Sequence, residues 1–232
     1  MFNMPVEKPV LSADLRAIER ILRFLVKLSN NCYDDRKDVI KDSMNKRAYD
    51  AYNFLSKIIR PTRFDELNHL IENEPNEKLQ LEVNNFYLPP FYKHNKEFVP
   101  VLRLKANFSK SVRMPKLDLR IALVTIDYAK SKLCIFGYRY EMPHTEPEQS
   151  EHNYCHQQFT RKPLDIPEEN EGTCEMVAEW VPEQIPCTMI PAKTPVEHLV
   201  CMLIGLYGSR ARDLVIKMNI GAEHKKPLEY LA

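Results

Sequence analysis

The sequence predicts an α+β protein: N-terminal helices, a central antiparallel β-sheet running as a meander, and C-terminal helices packed on that sheet. Three observations predict it. Apolar residues recur at helical spacing over the first sixty residues and again beyond Thr194, while the segments between alternate with a period of two. The strand-like segments are joined by connections too short for a crossover helix, so neighbours should run antiparallel. Five glycines in 232 residues are too few for Gly-rich phosphate loops or for the turns of a β-sandwich. The expected division is 1–75 helical, 76–185 sheet and 186–232 helical, together one domain.

The first helix follows Ser12, a cap candidate, with Leu15, Ile18, Leu22, Leu25 and Leu28 on one stripe and Asn30 and Asn31 as a stop. A second fills 34–59, acidic at its start and closed by Pro61. Thr62 with Asp65 would cap a short third helix over 63–72. The period then changes. "KLQLEV", "PVLRLKANF", "LDLRIALVTIDY" and "LCIFGYRYEM" read as strands, the third β-branched and apolar on both faces, as a central strand is. After the loop "PHTEPEQSE" come "HNYCHQQFTR" and "TCEMVAEWV". Thr194, Pro195 and Glu197 form a capping box with proline at N1 for a helix ending at Gly208. "SRARDLVIKMNIG" continues as a last helix, with Asn219 and Gly221 at its end.

Composition narrows the class. Hydrophobic content of 44% with 28% charged residues is that of a globular chain. No apolar run reaches the ~20 residues of a membrane span. The start "MFNMPVEKPVLSADLR" has neither a basic n-region nor an apolar h-region, and six cysteines are too sparse for a disulfide scaffold. A cytoplasmic protein with reduced thiols is expected. The net charge of +1 conceals a division: residues 101–140 carry nine Lys/Arg against two Asp/Glu, and 141–190 carry two against eleven. The two segments either pair within the sheet or present two fields to partners.

The densest chemical stretch is "SEHNYCHQQF", residues 150–159. On a helix, His152, Cys155 and His156 would share a face and suit zinc. Its composition favours a strand, which turns Cys155 away from both histidines. Cys174 and Cys187 lack C-x-x-C partners, so neither a metal nor a cofactor is expected. Paired as a hairpin with "FGYRYEM", the strand would set Tyr140 by His152, Tyr138 by Tyr154 and Phe136 by His156. Histidine titrates near neutrality and tyrosine can donate or orient. His152, Tyr154, His156 and Tyr138, with Arg139 on phosphate charge, thus make the inventory of a metal-independent ribonuclease. Equally, they are amphipathic side chains on a half-buried sheet face. Arg103, Lys105, Lys110, Arg113, Lys116 and Arg120 could follow a nucleic-acid backbone, or form the solvated face of a strand. P-loop, dinucleotide, zincin and serine-hydrolase signatures are absent.

The order of helices, strands bearing "YRY" and "HNYCH", and a capped terminal helix resembles small proteins of bacterial defence or toxin–antitoxin loci. The resemblance transfers no residue roles. The leading expectation is a non-catalytic interaction subunit of a larger cytoplasmic assembly, with a protein partner. A histidine-dependent nuclease and a nucleic-acid-binding accessory protein, using the basic 101–140 segment, are the alternatives.

Overall fold

In the computed structural model, the described residues are 12–34, 50–63, 66, 78–94, 96–109, 116–141, 155–160, 163–176 and 188–230. Helix α1 (Ser12–Asp34) buries Leu15, Ile18, Ile21, Leu22 and Leu25. It runs through Asn30 and Asn31, because a buried stripe outweighs the modest helix penalty of asparagine. Only the end of the expected second helix is described, α2 (Asp50–Ile58). Of the expected third helix Glu66 is described and is helical, its Oε2 accepting from the Arg63 N–H at 3.2 Å, and ahead of it stands Thr62. Its backbone N–H donates to the Asn85 carbonyl at 3.0 Å and its hydroxyl to that of Asn84. Most of 63–72 lies outside the described residues.

The strands are β1 (Lys78–Tyr87), β2 (Phe91–Lys93), β3 (Lys96–Ser109), β4 (Lys116–Asp127), β5 (Lys132–Glu141), β6 (His156–Phe159), β7 (Cys174–Met176) and β8 (Thr188–Met189). Their order is β1-β3-β4-β5-β6-β8, with β2 also on β3 and β7 also on β5. A bulge at Asn84 and Asn85, the latter at φ 57°, keeps Val83 and Phe86 both turned to the core. The expectation of a purely antiparallel meander needs correction at one pair: β7 runs parallel to β5. The reason lies in the connection. After β6 the chain leaves the edge of β5 at Gly137, passes through a 3-10 helix (Glu168–Thr173) and returns at Leu133, already facing the direction of β5.

Each face of the sheet has its own core. On one, α1 and α3 (Pro195–Tyr207) cover Leu102, Leu104, Leu119, Ile121 and Tyr140. Each fully buried Leu, Ile or Val there contributes about 1.5–3 kcal/mol, so the two helix groups belong to one core despite lying at opposite ends of the chain. Thr194 accepts from the Glu197 N–H at 3.1 Å and Pro195 opens α3, as the capping box requires. Gly208 ends it at φ 56°, and α4 (Arg210–Lys217) follows, with Asn219 at φ 51°. On the other face, Ala51, Leu55 and Ile59 cover Tyr87, Val99, Val101, Ala122, Val124, Leu133 and Ile135.

Candidate functional site

The second face changes character halfway along. Its apolar rows end at Val101, Ala122 and Gly137, which lie side by side on β3, β4 and β5. One row further, Arg103 stands opposite Arg120, Arg120 opposite Arg139, and Arg139 opposite Gln158. The next row on that face runs Glu82, Lys105, Asp118, Glu141, His156. Period-two alternation puts both rows there: Arg103 and Lys105, Asp118 and Arg120, Arg139 and Glu141 are each two residues apart.

Like charges directly opposite one another destabilise a sheet, so the arginine row depends on the acids beside it. Asp118 bridges two of the three. Its carboxylate lies 3.5 Å from Arg120 Nη2 and 3.5 Å from Arg139 Nε. Glu141, with its side chain 7% exposed, pairs with Arg139, accepts from Gln158 Nε2 at 3.0 Å and lies 3.3 Å from His156 Nε2. Lys105 pairs with Glu82 at 2.7 Å, and its hydrogen bond holds that carboxyl below the usual carboxylate range.

The opposite end of the arginine row is built differently. Arg103 Nη1 donates to Asp165 Oδ2 at 3.1 Å, and the Asp165 side chain is 86% exposed. An ion pair so open to water is worth on the order of 0–1 kcal/mol. Arg103 itself is only 25% exposed, and its Nε is buried without an acceptor among the described residues. Asp165 belongs to a strap that crosses the face where apolar and charged halves meet. Leu164 and Ile166 anchor it in the second core. Gly137 allows the close passage: a Cβ there would sit 2.8 Å from Pro163 Cβ and closer still to the Thr160 carbonyl oxygen.

The basic and acidic segments therefore meet within the molecule. Arg103–Asp165, Arg139–Glu141 and Lys130–Glu175, the last at 2.9 Å, each join residues 101–140 to residues 141–190. Of the expected nucleic-acid contacts, Arg103, Lys105 and Arg120 lie on this face. Lys116 opens β4, and Lys110 and Arg113 lie outside the described residues.

The expected hairpin register is not the one formed. Tyr138 faces Phe159, Tyr140 faces Gln157, and His156 faces Glu141. Tyr140 thus meets Gln157 rather than His152, an offset of five residues, and an odd offset inverts the faces. Tyr138 and Tyr140 consequently pack toward the first core, while Arg139, Glu141 and His156 share the charged face. His156 is buried, 1% exposed. His152 and Tyr154 lie outside the described residues.

A second polar group sits beneath α3. The Tyr140 ring meets His198 edge-on at 6.2 Å, and its hydroxyl rests against α3 at Gly205. Burial lowers the His198 pKa to about 4, partly offset by the Tyr140 backbone; among the described residues neither ring nitrogen makes a well-formed hydrogen bond. Burial raises the Cys155 and Cys201 thiols to about 12, and raises both Tyr138 and Tyr140. A thiol so buried stays protonated at neutral pH and is a poor nucleophile. Among the described residues no group of three or more His, Cys, Asp or Glu is placed to hold a metal ion, and no helix is long and apolar enough to cross a membrane.

Sequence reasoning named Arg103, Arg120, Arg139 and His156 but missed Asp118, Glu141, Gln158, Asp165 and Gly137. The charged alternation in "LDLRI" and "GYRYE" carried a signal for the first two. Chemically the arrangement offers guanidinium groups held in place for an anion and, among the described residues, no nucleophile beside a base. Comparison with protein-family models, curated proteins and solved structures returned no match.

Proposed function

We propose that the protein acts by binding, as a non-catalytic subunit of a larger assembly, and that the charged half of the sheet is its contact surface. One observation carries this reading. Arg103 and Arg120 are held on strands, 25% and 32% exposed, and among the described residues a single open ion pair stands between Arg103 and solvent. A guanidinium already fixed loses little freedom on meeting a partner, and arginine is enriched in the centres of protein interfaces.

The same geometry gives less to the alternatives. Asp118, Glu141, Glu82 and Asp165 stand among the cations of this face, where they oppose a polyanion such as RNA. A nuclease built on His152, Tyr154 and His156 with Tyr138 and Arg139 would need His156 open to substrate, whereas it is closed against Glu141.

The test is recovery of the tagged full chain, expressed at native level, from its own cells, followed by mass measurement of the purified species. A stoichiometric protein partner is expected. Recovery of the protein alone, together with RNA cleavage that vanishes in His156→Ala, would replace binding with catalysis.

A further inference from the structure

We infer that the arginine row is a carboxylate-recognition site, that its occupant is an Asp- or Glu-bearing segment of the partner protein, and that Asp165 is the chain's own stand-in for it. The inference rests on the binding function proposed above and adds the partner's chemistry and a means of regulation. It starts from a mismatch. Glu141, at the buried end, is saturated by Arg139, Gln158 and His156. Arg103, at the open end, has a single-point contact with an exposed carboxylate, and its Nε has no acceptor among the described residues. A carboxylate laid side-on against a guanidinium takes Nε and a terminal nitrogen together, which is the stronger and more directional geometry. Asp165, touching Nη1 alone, leaves that geometry unused.

The setting favours a few carboxylates over a nucleic-acid backbone. Arg120 reaches Asp118 only at 3.5 Å, so it retains capacity for a second anion beside Arg103. The flanking acids limit the face to the short stretch of two adjacent guanidiniums. The strap supplies the regulation. Leu164 and Ile166 are held by the second core, so Asp165 is tethered at the site and competes with any ligand as an intramolecular anion. Its exposure lets it yield without unfolding anything.

The experiment titrates the full chain with a dye-labelled, end-capped hexaglutamate peptide, read by fluorescence anisotropy. Asp165→Asn should bind about fivefold more tightly than wild type, the scale of one exposed ion pair removed. Arg103→Gln should bind far more weakly, Arg103→Lys should fall between, and Lys217→Gln, on α4, should match wild type. Rising salt should weaken every one of these affinities. Equal binding by wild type and Asp165→Asn overturns the inference, as does undiminished binding by Arg103→Gln. So does a single-stranded RNA oligonucleotide that displaces the peptide at much lower concentration. Should Arg103→Gln fail to fold, the Asp165→Asn comparison decides alone. The two proposals fail separately: a stoichiometric partner whose recovery ignores Arg103→Gln and Asp165→Asn sinks the carboxylate site and leaves the subunit. The expected peptide results without any partner sink the subunit and leave the site.

Discussion

Glu141 shows how one residue can be faint in the sequence and central in the structure. It ends a strand, in a position that reads as solvated, yet it accepts from Gln158, pairs with Arg139 and meets His156 while nearly inaccessible. Glu141→Ala would remove the buried carboxylate that Arg139, Gln158 and His156 share, so we expect a loss of roughly 2–4 kcal/mol in denaturant unfolding. A loss under half a kcal/mol would show that water replaces the carboxylate. His198 makes a prediction in pH. Its folded pKa is depressed to about 4 from 6.5, so its contribution is fully present above 6.5 and is lost as pH falls toward 4. Linkage puts the loss at about 2 kcal/mol by pH 5. His198→Leu should flatten the decline in stability between pH 7 and pH 5, whatever it does to stability at pH 7. An unchanged slope would assign the acid lability elsewhere, with His156 and Glu141 the charged groups nearest in effect.

At the scale of elements, periodicity located what burial dictates. The β3–β5 strands and α3 follow directly from alternation and from the Thr194–Pro195–Glu197 cap. The β5–β6 register did not follow. A two-residue turn fixes register through its own geometry, whereas the whole of 142–155 lies between Glu141 and His156 in sequence, far more than two residues. Alternation alone could not choose between offsets, and an odd one exchanged the faces. The return of β7 parallel to β5 was hidden for a related reason: it depends on where the strap crosses, and the strap depends on Gly137. Gly137→Ala should therefore displace Thr160 and Pro163 and cost about 1–3 kcal/mol, the range for overpacking a close contact. Hydrogen exchange should report the damage at β6 and the strap, sparing β1 and β3. A neutral substitution with unchanged exchange would mean the strap passes at a looser distance.

For the molecule as a whole, the α+β class was legible because helical and strand periods occupy separate stretches of chain, and because each needs a partner face to bury. The charge division was legible too, but not its resolution. Segments 101–140 and 141–190 meet through Arg103–Asp165, Arg139–Glu141 and Lys130–Glu175, pairings that only the fold brings together. What remains is one sheet face whose apolar half is covered by α2 and whose charged half closes at Glu141 and opens at Arg103. The central claim is that this open end holds a protein partner. The measurement that tests it most directly compares partner recovery by the wild-type chain and by the Arg103→Gln/Arg120→Gln double variant. Both are expressed at native level, matched for thermal midpoint, and quantified as moles of partner per mole of chain. The account predicts a stoichiometric partner with the wild type and its loss, tenfold or about that, with the double variant. Equal recovery by the two chains would contradict it.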